Sequence, residues 1–106
     1  MKVKELLVKA KGLIENPETW TQGYYAHDKD GNMCEALDEE ATCFCSIGAL
    51  FKANGGYYDE DGVISKAEDI LNSLADRHFI VDHNDSNTHE NVMALWDRAI
   101  TKADKV

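Results

Sequence analysis

Between Ala41 and Asn54 the chain reads ATCFCSIGALFKAN and then breaks at Gly55-Gly56. In a chain of 106 residues, a stretch apolar on nearly all sides has no face to offer water, so neighbouring elements must cover it from several directions. That predicts a central helix over 41–54, stopped by the two glycines. Gly48 inside it costs about 1 kcal/mol relative to Ala, which marks a point where another backbone comes close.

Three amphipathic segments supply the cover. Val3, Leu6, Leu7, Ala10, Leu13 and Ile14 form one helical stripe, ended by Pro17. Ser65-Lys66-Ala67-Glu68 reads as a capping box opening a second helix, with Ala67, Ile70, Leu71, Leu74, Ala75 and His78 on its stripe. Phe79-Ile80-Val81 reads as a short extended piece. Thr88 caps the last helix, whose stripe is Val92, Leu95, Trp96, Ala99, Ile100 and Ala103, and Glu90 suits its first turn. The segment from Trp20 to Leu37 lacks a helical period and reads as a β-hairpin around an Asp-Gly turn at Asp30-Gly31. With no repeat, linker or low-complexity tract, the expectation is a single domain over 1–106. It is mainly α (α+β), about four helices around one core with a small β-hairpin.

Charge narrows the partners. Twenty Asp and Glu against 11 Lys and Arg give a formal net charge of −9, which repels phosphate backbones and anionic lipid. Nucleic acid and membrane are therefore not expected, and no apolar run approaches the ~18 residues of a membrane span. The first residues, with Lys2, Lys4, Lys9 and Lys11 distributed through them, do not resemble a secretory signal. An odd set of cysteines, Cys34, Cys43 and Cys45, fits reduced thiols in a cytoplasm.

Three constellations could carry chemistry. Placing Gly62 at the sixth position of a calcium loop puts Asp59 and Asp61 at the third and fifth and Glu68 at the twelfth. Tyr57 then occupies the first position, where an oxygen ligand is required, and a turn at Asp61-Gly62 with the Ser65/Glu68 capping box accounts for the same residues. Calcium at Asp59, Asp61 and Glu68 is thus a minor reading. The three cysteines with His27, His78, His83 and His89 lack zinc spacing, since Cys43 and Cys45 lie ~200° apart on a helix, and inert thiols packed as small hydrophobes are the favoured reading. A nucleophilic thiol needs a helix N-terminus or a cation, and Cys43 does sit near a predicted N-terminus, which makes it a minor candidate. The third set is polar: Trp20, Gln22, Asp28, Asn84 and Asp85 converge on one pocket if the hairpin packs against the His83 loop. Against that, Asp28 can serve the turn, and Asn84 and Asp85 can satisfy amides before the Thr88 cap. Trp20 and Trp96 are expected in the core, each indole N–H seeking a partner. There is no phosphate loop, nucleophile elbow or metalloprotease His pair.

Three segments taken together resemble a known family. They are Trp20-Thr21-Gln22-Gly23-Tyr24-Tyr25-Ala26-His27-Asp28, Ala41 to Leu50 with its Cys45-x-x-Gly48-Ala49-Leu50, and Asn84-Asp85 followed by Val92 and Ala99-Ile100. The pattern of W-x-Q-G, A-x-D, C-x-x-G-A-L and N-D is similar to that of the domain of unknown function 6197 family, small bacterial and bacteriophage proteins. The likeness covers nearly the whole chain. It departs at His27, where the family pattern has Arg, and at His83, where it has Trp. The resemblance implies one domain and carries over no catalytic role. If the chain is phage-encoded, the cytoplasm it occupies is the host's.

The leading expectation is a small, acidic, cytoplasmic binding or protein-interaction module, self-association included, with no cofactor and no catalytic constellation. The alternative is a protein that binds or processes a small molecule through Gln22, Asp28, Asn84 and Asp85.

Overall fold

The structure is a computed structural model that describes residues 1–75 and 78–104. Helix α1 (Val3–Ile14) buries Leu6, Leu7, Ala10 and Ile14, the stripe its periodicity predicts. Pro17 cannot continue it, and the Asn16 side chain instead caps a 3₁₀ turn at Pro17–Thr19 by accepting from Glu18 N at 2.8 Å.

The expected hairpin forms as β1 (Ala26–His27) and β2 (Met33–Cys34), antiparallel with Ala26 opposite Cys34. A third strand, β3 (Cys43–Phe44), pairs on the other edge of β1, giving the order β2-β1-β3. This corrects the helix predicted from Ala41. Residues 41–45 are apolar enough for either state, and the open edge of β1 decides, since Thr42 N donates to His27 O at 2.9 Å and Cys45 N to Tyr25 O at 3.1 Å. Helix α2 (Ser46–Asn54) therefore starts at Ser46, buries Ser46 to Leu50 and Ala53, and ends at Gly55, whose φ of 78° is the left-handed cap a glycine supplies. The close backbone expected at Gly48 is Tyr25: a Cβ there would lie 1.9 Å from the Tyr25 carbonyl oxygen.

Helix α3 (Val63–Leu74) begins two residues before the predicted capping box, and Asp59 takes the capping role. A 3₁₀ turn at Glu60–Gly62 folds Asp59 back so that its Oδ1 accepts from Ile64 N at 2.6 Å and its Oδ2 from Ser65 N at 3.2 Å and Ser65 Oγ at 2.5 Å. These bonds, the Ser65 hydroxyl's first, hold the Asp59 carboxyl below its ordinary pKa. A carboxyl lowered in the folded state contributes stability that is present above the ordinary carboxylate range and lost as pH falls through the folded-state value. Accordingly, Asp59→Asn should lower the melting temperature at neutral pH, and the gap from wild type should close on acidification; a gap independent of pH would remove this role for the charge.

His78, expected on the α3 stripe, lies beyond its end, exposed and at φ 65°. The predicted extended piece at 79–81 is extended only at Phe79. Ile80 N donates to Asn72 Oδ1 at 2.8 Å and opens helix α4 (Ile80–Ser86), which buries Ile80, His83 and Asn84 and leaves Val81 exposed. The expected His83 loop is thus helical. Thr88 caps α5 (His89–Ala103) by accepting from Asn91 N at 3.2 Å, as predicted, and α5 buries Val92, Leu95, Trp96 and Ala99.

The described residues thus hold five helices and a small antiparallel sheet, mainly α with some β, around one continuous apolar core. Helix α2 packs on α1, α3 and α4, whereas α5 packs chiefly on α1 and α3, so the cover expected from one central helix is shared between α1 and α2. No helix among the described residues is long and apolar enough to cross a membrane.

Candidate functional site

Asn84 organises a buried network that joins polar groups from distant parts of the sequence. It is 1% exposed on α4, and its Oδ1 accepts three hydrogen bonds, from Trp20 Nε1 at 2.9 Å, Ser46 N at 3.1 Å and Ser46 Oγ at 2.8 Å. Its Nδ2 donates to Thr21 O at 3.0 Å and Asp85 Oδ1 at 3.1 Å. Gln22 Nε2 donates to the Asn84 and Asn87 carbonyls, both at 3.0 Å, and Gly23 N donates to Asp85 Oδ1 at 3.0 Å. Three segments far apart in sequence are thereby tied together: residues 20–23, the foot of α2, and 84–85. Buried amides and indoles demand partners, and here each finds one.

Four of the five residues named from sequence, Trp20, Gln22, Asn84 and Asp85, come together in this bracket. The fifth does not. Asp28 closes its own hairpin turn, its Oδ1 accepting from Asp30 N and Asn32 N at 2.9 Å each, and those amides, Asn32 first, lower its pKa. Ser46 and Trp96 belong to the network without being site candidates from sequence: Trp96 is buried in the core as expected, and the partner its indole finds is Ser46 Oγ, which accepts from Nε1 at 3.0 Å. The signal for them was a hydroxyl inside an otherwise apolar run, in a chain with two indole N–H groups to satisfy.

Beside the bracket lies a cavity of about 300 Å³. Gly23, Tyr24 and Tyr25 form one wall, Cys45 and Ser46 the foot of α2, and Val81, Asn84 and Asp85 the wall from α4. Trp20 and Gln22 hold Asn84 from outside the cavity lining. Edge-to-face contacts run outward from it, Tyr24 on Tyr25 (5.4 Å between ring centres), Tyr25 on Phe51 (6.1 Å) and Phe51 on Tyr57 (4.9 Å). Tyr25 and Tyr57 keep 43% and 48% of their surface in solvent.

Helix α2 presents no open amide trap for an anion. Ser46 N is engaged by Asn84 Oδ1, and the N-cap residue, Cys45, accepts from Gly48 N through Sγ at 3.4 Å. Burial raises the Cys45 thiol above its ordinary pKa, so it stays a neutral thiol at neutral pH. The cysteine at a helix N-terminus is thus Cys45 rather than Cys43, which lies in β3 with Sγ 3.7 Å from His27 O. Cys34 is half-buried, and desolvation raises its thiol too.

The residues of the calcium reading do not assemble as ligands. Both Asp59 oxygens serve α3, Asp61 is exposed at φ 58°, and burial raises the Glu68 carboxyl, with Asp69 and Asp59 adding repulsion. Among the described residues no group of three or more His, Cys, Asp or Glu is arranged to hold a metal ion.

The motif residues behind the family resemblance are largely those that bond one another here: Trp20, Gln22 and Gly23 to Asn84-Asp85, and Cys45 to Gly48. Neither the curated proteins nor the solved structures contain a match to the chain. The model of a family of unknown function, DUF6197, matches residues 1–102, and the chain belongs to that family.

Proposed function

We propose that the protein is a non-enzymatic binding module that receives a segment of a protein partner, one side chain of which enters the cavity beside Asn84. The observation that carries this reading is a concavity of about 300 Å³, at the small end of ligand-sized pockets, whose walls are fixed by the Asn84 bracket. A rigid wall lowers the ordering cost of association. The partly exposed ladder Tyr25–Phe51–Tyr57 continues from the cavity's Tyr25 to residues outside its lining and favours a protein over a free small molecule, because exposed aromatic clusters form the energetic centres of protein interfaces. The neutral Cys45 thiol favours binding over nucleophilic catalysis.

Peptides selected against the protein from a displayed random library test this reading. Val81 is 50% exposed on the cavity wall, so Val81→Glu should leave the fold intact while obstructing the site. Selected peptides should bind the variant at least about tenfold more weakly, the equivalent of about 1.4 kcal/mol. They should also perturb the amide signals of Gly23, Tyr25, Ser46 and Asp85. Peptides that bind the variant equally well, or that perturb another face, would overturn the proposal.

A further inference from the structure

We infer that the side chain seated in the cavity is cationic, an arginine of the partner, with Asp85 as its counter-ion and Tyr24 and Tyr25 as aromatic walls. The inference rests on the binding reading above and specifies its ligand. Asp85 is the one charged side chain lining the cavity, and it is negative. The neighbouring polar groups are already engaged: Asn84 Oδ1 takes three donors, and Ser46 Oγ donates to it while accepting from Trp96. Asp85 is the one carboxylate in the lining, and one of its two oxygens is still open. Its Oδ1 is fixed by Gly23 N and Asn84 Nδ2, and its Oδ2 accepts no hydrogen bond among the described residues.

With Oδ1 held by two amides, Oδ2 is left to accept from a cationic donor, and arginine supplies charged N–H groups on a planar group that also stacks on aromatic rings. Tyr24 and Tyr25 line the same cavity, where ring faces attract a guanidinium. Anions are disfavoured twice, by the internal capping of the α2 amides and by the net charge of −9, which attracts a basic segment during approach.

The test uses three capped tripeptides, Gly-Arg-Gly, Gly-citrulline-Gly and Gly-Leu-Gly, titrated at millimolar concentration into the isotope-labelled protein. The arginine peptide should shift the Gly23, Tyr25, Ser46 and Asp85 amides saturably, and added salt should weaken it. Citrulline, which keeps the shape and loses the charge, should bind at least about tenfold more weakly. Asp85→Asn, whose amide oxygen can still accept from Gly23 N, should cause a similar loss for arginine and little change for leucine. The citrulline comparison needs only wild-type protein and stands even where the variant folds poorly. Leucine or citrulline binding in the cavity as tightly as arginine would overturn the cationic assignment and leave the binding module standing. Arginine-induced shifts confined to other acidic surface would overturn the assignment as well. No cavity shift with any of the three would sink both.

Discussion

Gly48→Ala is expected to destabilise the protein by about 3 kcal/mol or more, lowering its melting temperature by on the order of 10 °C. Helix propensity alone predicts the opposite sign, since Ala is favoured over Gly inside a helix by about 1 kcal/mol. The contact decides. A Cβ at position 48 would stand 1.9 Å from Tyr25 O and 2.8 Å from Tyr25 C, and both are backbone atoms, which cannot swing aside as the end of a side chain could. To admit the methyl group, residue 25 must withdraw from α2. That withdrawal breaks the bond from Cys45 N to Tyr25 O and moves the wall of the cavity, so peptide binding should fall together with stability. Gly12 in α1 provides the control: nothing lies within 4 Å of its built Cβ, and Gly12→Ala should stabilise by up to about 1 kcal/mol. Urea unfolding of both variants reads the difference. A Gly48→Ala protein as stable as Gly12→Ala would mean that α2 and the segment at Tyr25 can separate at little cost.

Gly48 also illustrates what could be read from sequence. A costly glycine inside an apolar run has one common physical reason, close approach, and that inference needs no knowledge of the partner. The stripes of α1 and α5 and the glycine stop of α2 follow equally from local rules, because apolar period and cap chemistry are properties of neighbouring residues. Where the outcome depended on a distant partner, local pattern misassigned it. Residues 43–44 became a strand because β1 offered an edge, and Ile80-Val81 became helical because Asn72 received the Ile80 amide. Ser65 had the composition of a cap, but the helix opens at Val63, and Asp59, six residues upstream of Ser65, takes the first-turn amides of Ile64 and Ser65. In the candidate site, residue types identified four members of the bracket from their hydrogen-bonding demand. Asp28 was included on the same grounds and then satisfied within its own turn, which is where a short carboxylate before a glycine turn most easily finds donors.

Asn84→Ala should cost about 3–5 kcal/mol, because removing one partner of a buried network strands the others at roughly 1–3 kcal/mol each and the terms are not additive. The groups left behind are Trp20 Nε1, Ser46 N and Thr21 O, all bonded to the lost amide. Asn84→Asp separates the acceptor from the donor half of that role. It retains an oxygen for Trp20 and Ser46, but replaces the group that donates to Thr21 O and Asp85 Oδ1 with a second carboxylate beside Asp85. Burial, the adjacent negative charge and the need of Thr21 O for a donor all favour the protonated form of the new carboxyl and outweigh the three donors to its other oxygen, so its folded-state pKa lies above its unfolded value. The sign follows from linkage: the electrostatic penalty vanishes below the unfolded value, grows as pH rises, and is complete above the folded value. Asn84→Asp should therefore approach wild-type stability in acid and fall toward Asn84→Ala at neutral pH, whereas Asn84→Ala should keep a nearly constant deficit across the same range. Ser46→Ala combined with Asn84→Ala should cost less than the two single changes added together, by about 1 kcal/mol or more, since both remove the same Oγ–Oδ1 bond. Strict additivity would mean that Asn84 and Ser46 stabilise the fold independently, and the wall of the cavity would then lack the rigidity that the binding reading assigns to it.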